Sequence, residues 1–330
     1  MFIPYRLLVL LVTTLYQTLA CLREDQTSPP GTRVDIGGYA LHLNVIEPKQ
    51  LQAETAPPRP TLVLDHSLGG VEGYLLTEHL AQFGRVCIYD RAGYGWSDRS
   101  PQPRQSASIV AELDTLLTRA HIAPPYILIG DSFGSYNMRL YAHRFPEKVS
   151  GLVLTDGLHE SGMLSMPLPL VILKLVFISG FLMSVLGALF GIIRLLKVCA
   201  IFELLKPELR KFPAVEVARV KRSFCRPKHW LTMAQELWGI NRSGQQVSEA
   251  KDLGNLPIVS IKANSFFQPA FWTILIPLKS ANSLRDRMHE QLMKLSSKTV
   301  QLQAQKSGHF VWIDEPELIA EAVEILLKKI

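Results

Sequence analysis

The stretch Tyr126-Ile127-Leu128-Ile129-Gly130-Asp131-Ser132-Phe133-Gly134 decides how this chain is read. An apolar run leads into a serine with a glycine two positions away on either side, and a helical stretch begins near Tyr136. The pattern predicts a strand, a very tight turn and a helix. So sharp a turn forces its central residue into a strained backbone and leaves no room for side chains at the flanking positions. The strain holds the Ser132 hydroxyl out over the carboxyl end of a sheet, which makes it the candidate nucleophile. GxSxG alone is short and permissive; the strand before it and the helix after it give it weight.

Working outward, the same grammar repeats on both sides. Thr32 to Asn44 reads as two short strands around Gly37-Gly38, and Leu51 to Pro60 as a polar, proline-containing loop. Thr61 to Asp65 and Arg85 to Tyr89 are continuous apolar runs, as expected of strands buried on both faces. Helix-like segments follow at Glu78 to Phe83 and, with amphipathic spacing, at Ser106 to Ala120. Beyond the elbow come a helix Tyr136 to Arg144, a strand Val149 to Asp156, strands Pro257 to Ile261 and Thr299 to Gln303, and a closing helix Glu317 to Leu327. The alternation predicts an α/β protein with a mostly parallel, doubly wound sheet.

His66-Ser67-Leu68-Gly69-Gly70 ends the strand at Thr61 to Asp65, with small residues where a loop must approach a substrate closely. The backbone N–H of Leu68, with that of Phe133, is placed to donate to a developing oxyanion. His66 reads as a structural histidine holding this loop. Asp156 stands at a carboxyl strand end, where open parallel sheets place their reactive groups.

Composition bounds the answer. The 330 residues are 48% apolar and 19% charged, which argues for a globular chain and against disorder. A net charge of +6 does not by itself indicate a nucleic-acid partner. Cys21, Cys87, Cys199 and Cys225 have no spacing suggestive of a metal site or a disulfide framework. Residues 1–21, with Arg6, the run Leu7 to Val12 and the end Ala20-Cys21, read as a secretory signal or an uncleaved anchor, and residues 22–31 as a linker. Export or membrane association is expected, rather than a cytoplasmic location.

From Leu175 to Ile193 no residue is charged, a length sufficient to cross a bilayer. A single crossing would put the strands on its two sides across the membrane from one another. The segment is therefore expected to return, as a buried cap helix, an interfacial helix or a re-entrant hairpin, with Gly180, Gly187 and Gly191 permitting close packing or bending. Arg194 to Lys228 then holds ten Lys or Arg against three Glu. This basic stretch reads either as a face for an anionic membrane or as a solvated surface beside an apolar acyl pocket.

The strings DIGGYALHL, LDHSLGG, YDRAGYGWSD, YILIGDSFGS, GLVLTDGLHE and AQKSGHFVWIDEPE together resemble landmarks of the α/β-hydrolase fold superfamily, in its bacterial-type serine hydrolase, esterase- or lipase-like branch. They fall in order from about residue 32 to the end. Two positions depart: Asp131 stands before the serine where many relatives have histidine, and Ser135 replaces a second glycine. The resemblance implies a core formed by residues 32–162 and 252–330, with a helical cap, residues 163–251, inserted after the sixth strand.

A serine hydroxyl needs a base and a carboxylate to orient that base. His309, in Ser307-Gly308-His309 after the final strand, matches the family's SGH motif and is the expected base. The commonest family place for the acid, after the seventh strand, is empty: between Asp252 and Asp286 there is no Asp or Glu, and Asn264 stands nearby. Asp156 is the expected replacement, in the order Ser, Asp, His. These expectations add up to a hydrolase of an ester-like bond in an apolar or lipid-like small molecule, without metal or organic cofactor. An acyltransferase using the same residues, or a non-catalytic membrane-associated relative, are the alternatives; the apex serine argues against an aspartate-nucleophile enzyme.

Overall fold

The computed structural model describes residues 2–48, 59–266 and 277–330. The loop expected at Leu51 to Pro60 lies almost wholly outside the described residues. Eight strands form one sheet: β1 (Thr32–Asp35), β2 (Ala40–Ile46), β3 (Thr61–Asp65), β4 (Val86–Tyr89), β5 (Tyr126–Asp131), β6 (Val149–Thr155), β7 (Ile258–Ala263) and β8 (Thr299–Ala304). Their order is β1-β2-β4-β3-β5-β6-β7-β8. The first two strands run antiparallel; from β4 to β8 every neighbouring pair is parallel.

The continuous apolar runs are explained by the pleat. Val63, Cys87, Leu128 and Leu152 point to one face, where they meet Ile109 and Leu113 of one helix and Leu140 of another. Leu62, Ile88, Ile127 and Val153 point to the opposite face, against Trp312, Val323 and Leu326. Successive residues alternate faces and both faces are covered, so the middles of these strands are apolar and the carboxylates Asp65 and Asp131 stand at strand ends. Helices α2 (Ser106–Arg119) and α3 (Phe133–Arg144) cover the first face, preceded in the chain by the N-terminal α1 (Phe2–Asp25).

The insertion between β6 and β7 is helical. Its main elements are α4 (Leu168–Leu189), α5 (Ile192–Val198), α6 (Ala214–Phe224), α7 (Pro227–Trp238) and α8 (Ile240–Val247). After β7 come α9 (Leu278–Leu292) and, last, α10 (Glu317–Leu327). Because β6 pairs with β7, Leu152 opposite Ile258, the chain on both sides of the apolar segment lies in one sheet. The segment therefore does return: α4 packs along α7, and the chain turns at Gly191, whose φ of 77° caps α4 in the left-handed region. Gly180 meets nothing, so close packing is not its role.

Three local expectations are corrected. The helix expected at Glu78 to Phe83 is displaced toward the N-terminus: a 3-10 turn at Glu72–Leu76 runs into a short helix, Thr77–Leu80, because Tyr74 and Leu76 are drawn into the core. Helix α1 passes through the expected boundary at Cys21 and takes the first four residues of the expected linker, its last turn held by ion pairs from Glu24 and Asp25. Much of the basic surplus at Arg194 to Lys228 is not a freely solvated face: Arg194, Arg222 and Arg226 pair with those same acids, and Lys206 with Asp314.

Candidate active site

The elbow has the strain that its sequence implies. Ser132 sits at φ 48° and ψ −109°, between the end of β5 and the first turn of α3. A Cβ on Gly134 would lie 2.4 Å from the Asp65 carbonyl oxygen, and one on Gly130 would lie 2.7 Å from the Gly134 backbone. Neither distance is sterically possible, so both glycines are required by the neighbouring chain. Ser135, where a further glycine was the family expectation, is tolerated because its hydroxyl donates to the Ser132 carbonyl and accepts from the Leu158 N–H.

Three strand ends converge at this point. The Ser132 hydroxyl lies 2.8 Å from His309 Nε2, and His309 Nδ1 lies 2.6 Å from Asp156 Oδ2. His309 arrives on the loop after β8 and is sandwiched by Phe266, stacked at 4.7 Å, and by the edge-on ring of Phe310. Asp156 follows β6 with a φ of 38°, a strained left-handed backbone for a residue with a side chain. Asn264, in the sequence position after β7, is exposed.

Asp156 is held from its other side as well. Its Oδ1 accepts from His289 Nε2 at 3.1 Å and from the Ala263 N–H at 3.1 Å. His289 is 1% exposed, on α9, and its Nδ1 faces the Ser260 hydroxyl. Burial alone would raise the Asp156 carboxyl; the hydrogen bonds and charges of His289 and His309 outweigh it and hold the group well below the usual carboxylate range. Two nearby acids go the other way. Burial raises Glu72, and burial with the charges of Glu72 and Asp156 raises Asp131 well above its ordinary value. Asp156 is thus the carboxylate kept ionised beside the histidine.

Leu68 and Phe133 both border the same cavity as Ser132. Phe133 opens α3, whose first N–H groups have no partner within the helix, and the Leu68 N–H has none among the described residues. The loop carrying Leu68 is clamped from below by Arg91, which is 1% exposed. Its guanidinium donates to the carbonyls of His66 and Ser67, each at 2.7 Å, to Asp65 at 2.6 Å and to Glu236 of the cap at 2.9 Å. His66 itself is buried, takes the Gly73 N–H on Nδ1 at 3.0 Å and faces the Tyr89 carbonyl, a structural post for the loop. Burial lowers its pKa to about 4.

Above the row lies a cavity of about 360 Å³, walled by Leu158, Met163, Leu170, Phe177 and Phe181 among others, with Lys174 the one Lys, Arg, Asp or Glu among the described residues that line it. Its lining is almost wholly apolar. The arrangement can present an activated oxygen nucleophile to an apolar ligand that carries an electrophilic carbon at one end.

Two residues in this account escaped sequence reading. Arg91 stands in the sequence only as part of the string YDRAGYGWSD, with nothing to mark its place under the loop. His289 carried a usable signal: it lies on the inward stripe of α9 with Leu284, Met288 and Leu292, a polar residue on an apolar face. The described residues contain no cluster that could hold a metal ion. Asn241-Arg242-Ser243, a formal glycosylation acceptor, lies on α8 with Ser243 fully buried.

A family model described as the alpha/beta hydrolase fold matches residues 60–178. An uncharacterized protein of Schizosaccharomyces pombe is 32% identical over 88 residues, 26% of this chain and 16% of the relative. An uncharacterized vacuolar membrane protein of Saccharomyces cerevisiae is 31% identical over 110 residues, 31% of this chain and 17% of that one. An AB hydrolase superfamily protein of Gibberella zeae is 26% identical over 133 residues, 37% of this chain and 41% of the relative. The matches thus span only a minor part of these relatives' lengths. Among solved structures, the epoxide hydrolase CorEH superposes with a TM-score of 0.65 at 16% identity, covering 90% of this chain and 98% of that one. The enol-lactonase of Burkholderia xenovorans gives a TM-score of 0.60 at 16% identity, covering 90% and 100%. At such identities the likeness is one of fold. With the sheet order, the elbow and the matched segment around it, the chain has the α/β-hydrolase fold.

Proposed function

We propose that the protein is a serine hydrolase that cleaves an ester-like bond in an apolar or lipid-like small molecule. The observation that carries this reading is the row Ser132–His309–Asp156 opening directly onto an apolar cavity. In this reading His309 Nε2 takes the hydroxyl proton as Ser132 Oγ attacks the carbonyl carbon. Asp156, accepting from Nδ1, fixes the tautomer and faces the imidazolium that forms. The N–H groups of Phe133 and Leu68 receive the oxyanion. His309 then protonates the departing alcohol, and a water deprotonated by the same nitrogen releases the acid from Ser132. Each step moves one proton through one imidazole, and none needs another reactant.

The apolar lining of the cavity supports this substrate class. Apolar walls gain roughly 0.8 kcal/mol for each methylene they remove from water, so an acyl chain is favoured over a polar group. Location at a membrane belongs to the same reading, supported by two long apolar helices and by the vacuolar membrane protein of Saccharomyces cerevisiae among the relatives. The test is a series of p-nitrophenyl esters from acetate to decanoate. The expected outcome is a kcat/KM that rises with chain length and falls at least a thousandfold in Ser132→Ala; turnover that survives this substitution would overturn the proposal.

A further inference from the structure

Helix α1 is polar where it touches the protein and apolar where it does not. Thr13, Thr14, Gln17, Ala20, Cys21 and Glu24 form its sheltered stripe, whereas Leu8, Leu11, Val12, Leu15 and Leu19 are about half exposed or more. A helix folded onto a water-soluble core has the opposite polarity. This pattern suits a helix whose outer solvent is hydrocarbon and whose polar groups find partners in neighbouring protein. Residues 5–25 are also long enough to cross most of a bilayer, about 31 Å at 1.5 Å per residue.

The sheltered stripe is a built interface. At the turn between α4 and α5, a Cβ on Gly191 would lie 2.7 Å from the Thr13 carbonyl oxygen, so only glycine lets the cap come this close to α1. Gln17, 4% exposed, accepts from Arg194 Nε at 2.6 Å and donates to the Cys225 carbonyl at 2.7 Å. Glu24 takes Arg194 at 2.5 Å and Arg226 at 2.9 Å; Asp25 takes Arg222 at 2.7 Å and Arg226 at 3.0 Å. A cut at Ala20 would strip Arg194 and the Cys225 carbonyl of their buried glutamine. A leader destined for removal has no use for such partners.

The clamp fixes α1 relative to α4, and α4 has two different faces. Its outer face exposes Ile172, Leu175, Val176, Leu182, Met183 and Leu186. Its inner face walls the cavity with Leu170, Leu173 and Phe181, and Phe177 belongs to both, lining the cavity while 36% exposed. Lys174, the one charged residue of α4, is turned inward toward Asn241. What lies against the outer face is therefore one helix away from Ser132.

We infer that α1 is retained on the mature chain and, clamped to the cap through Gln17, Glu24 and Asp25, forms with the outer face of α4 a single apolar platform seated in a lipid bilayer, from which the cavity receives its substrate past Phe177. The last clause rests on the hydrolase reading; the docking does not. The experiment uses the full chain with vesicles of phosphatidylcholine and phosphatidylglycerol. The chain recovered from membranes still contains residues 1–20, and Met183→Trp adds fluorescence that brominated-chain lipid quenches. The double variant Glu24→Arg/Asp25→Arg loses about tenfold in hydrolysis of a vesicle-borne long-chain ester while p-nitrophenyl acetate turnover stays unchanged, and adding Arg194→Glu/Arg226→Glu restores the vesicle activity. A mature chain that begins at Cys21 or later, absence of quenching, or equal loss on both esters would overturn the inference. A wild-type chain that is retained and quenched yet turns over neither ester supports the docking and contradicts the hydrolase reading alone.

Discussion

Asp156 carries more of the candidate site's electrostatics than its place in the sequence suggests. It is an acid with a positive φ, buried between two imidazoles, each on a different carboxylate oxygen. Replacing it with Asn keeps the shape but removes the charge facing the imidazolium and disturbs the tautomer, so kcat is expected to fall about a thousandfold or more. His289→Ala removes one hydrogen bond to a charged group, worth roughly 1.5–3 kcal/mol, and is expected to lower kcat ten- to a hundredfold with KM unchanged. His289→Gln, which keeps a donor, is expected to recover most of that loss; an unchanged kcat in His289→Ala would leave His289 only a packing role. Asp156 could be read from the chain only because the usual acid position was empty, and its choice needed a strand end. His289 was hidden because its partner is 133 residues away and its own helix shows nothing but an inward polar group.

At the scale of elements, the central strands such as β3 and β4 were legible because they are buried on both faces, which writes an uninterrupted apolar run into the sequence. Their ends were read to within a residue or two. The 3-10 turn at Glu72–Leu76 was not, since a short segment held by Arg219 over its Tyr74 ring and by His66 on its Gly73 N–H has no helical period to show. That loop and the elbow are mutually keyed: Gly134 is pressed against the Asp65 and His66 carbonyls, and Arg91 ties the His66 carbonyl to the cap. Two substitutions test the keying by denaturant unfolding. Gly134→Ala forces a Cβ into a backbone oxygen, an overpacking strain of about 3 kcal/mol. Arg91→Met leaves Asp65 and Glu236 buried without their partner, and a loss of roughly 3–5 kcal/mol is expected. Wild-type stability in either variant would contradict the geometry described.

For the whole molecule, pH should act through buried histidines as well as through carboxylates. Burial lowers His66 to about 4 and His229 to about 3, against an ordinary value of 6.5. The unfolded chain binds protons at these groups below pH 6.5 and the folded chain does not, so their contribution is complete above that pH and erodes as pH falls toward 4. At pH 4.5 the loss amounts to about 2–3 kcal/mol for each. Asp156 does not add to it there, because a depressed carboxyl keeps its stabilisation until pH falls below the ordinary carboxylate value. Because the raised carboxyls of Glu72 and Asp131 gain stability over the same range, the test is a difference: the thermal midpoint of a His229→Gln variant is expected to decline less from pH 7 to 4.5 than that of the wild-type chain, and parallel profiles would contradict the burial of that histidine. The role of α1 was the least legible feature at this scale, since a run from Leu7 to Val12 reads the same whether it is discarded or kept. Only the partners of Gln17, Glu24 and Asp25 distinguish the two.

All of this turns on Ser132, and one measurement addresses it directly: intact-mass and peptide analysis of the chain after reaction with a fluorophosphonate. A single adduct on Ser132, absent in Ser132→Ala and much slowed in Asp156→Asn, is the predicted result. An adduct on another residue, or one that persists without the Ser132 hydroxyl, would contradict the account.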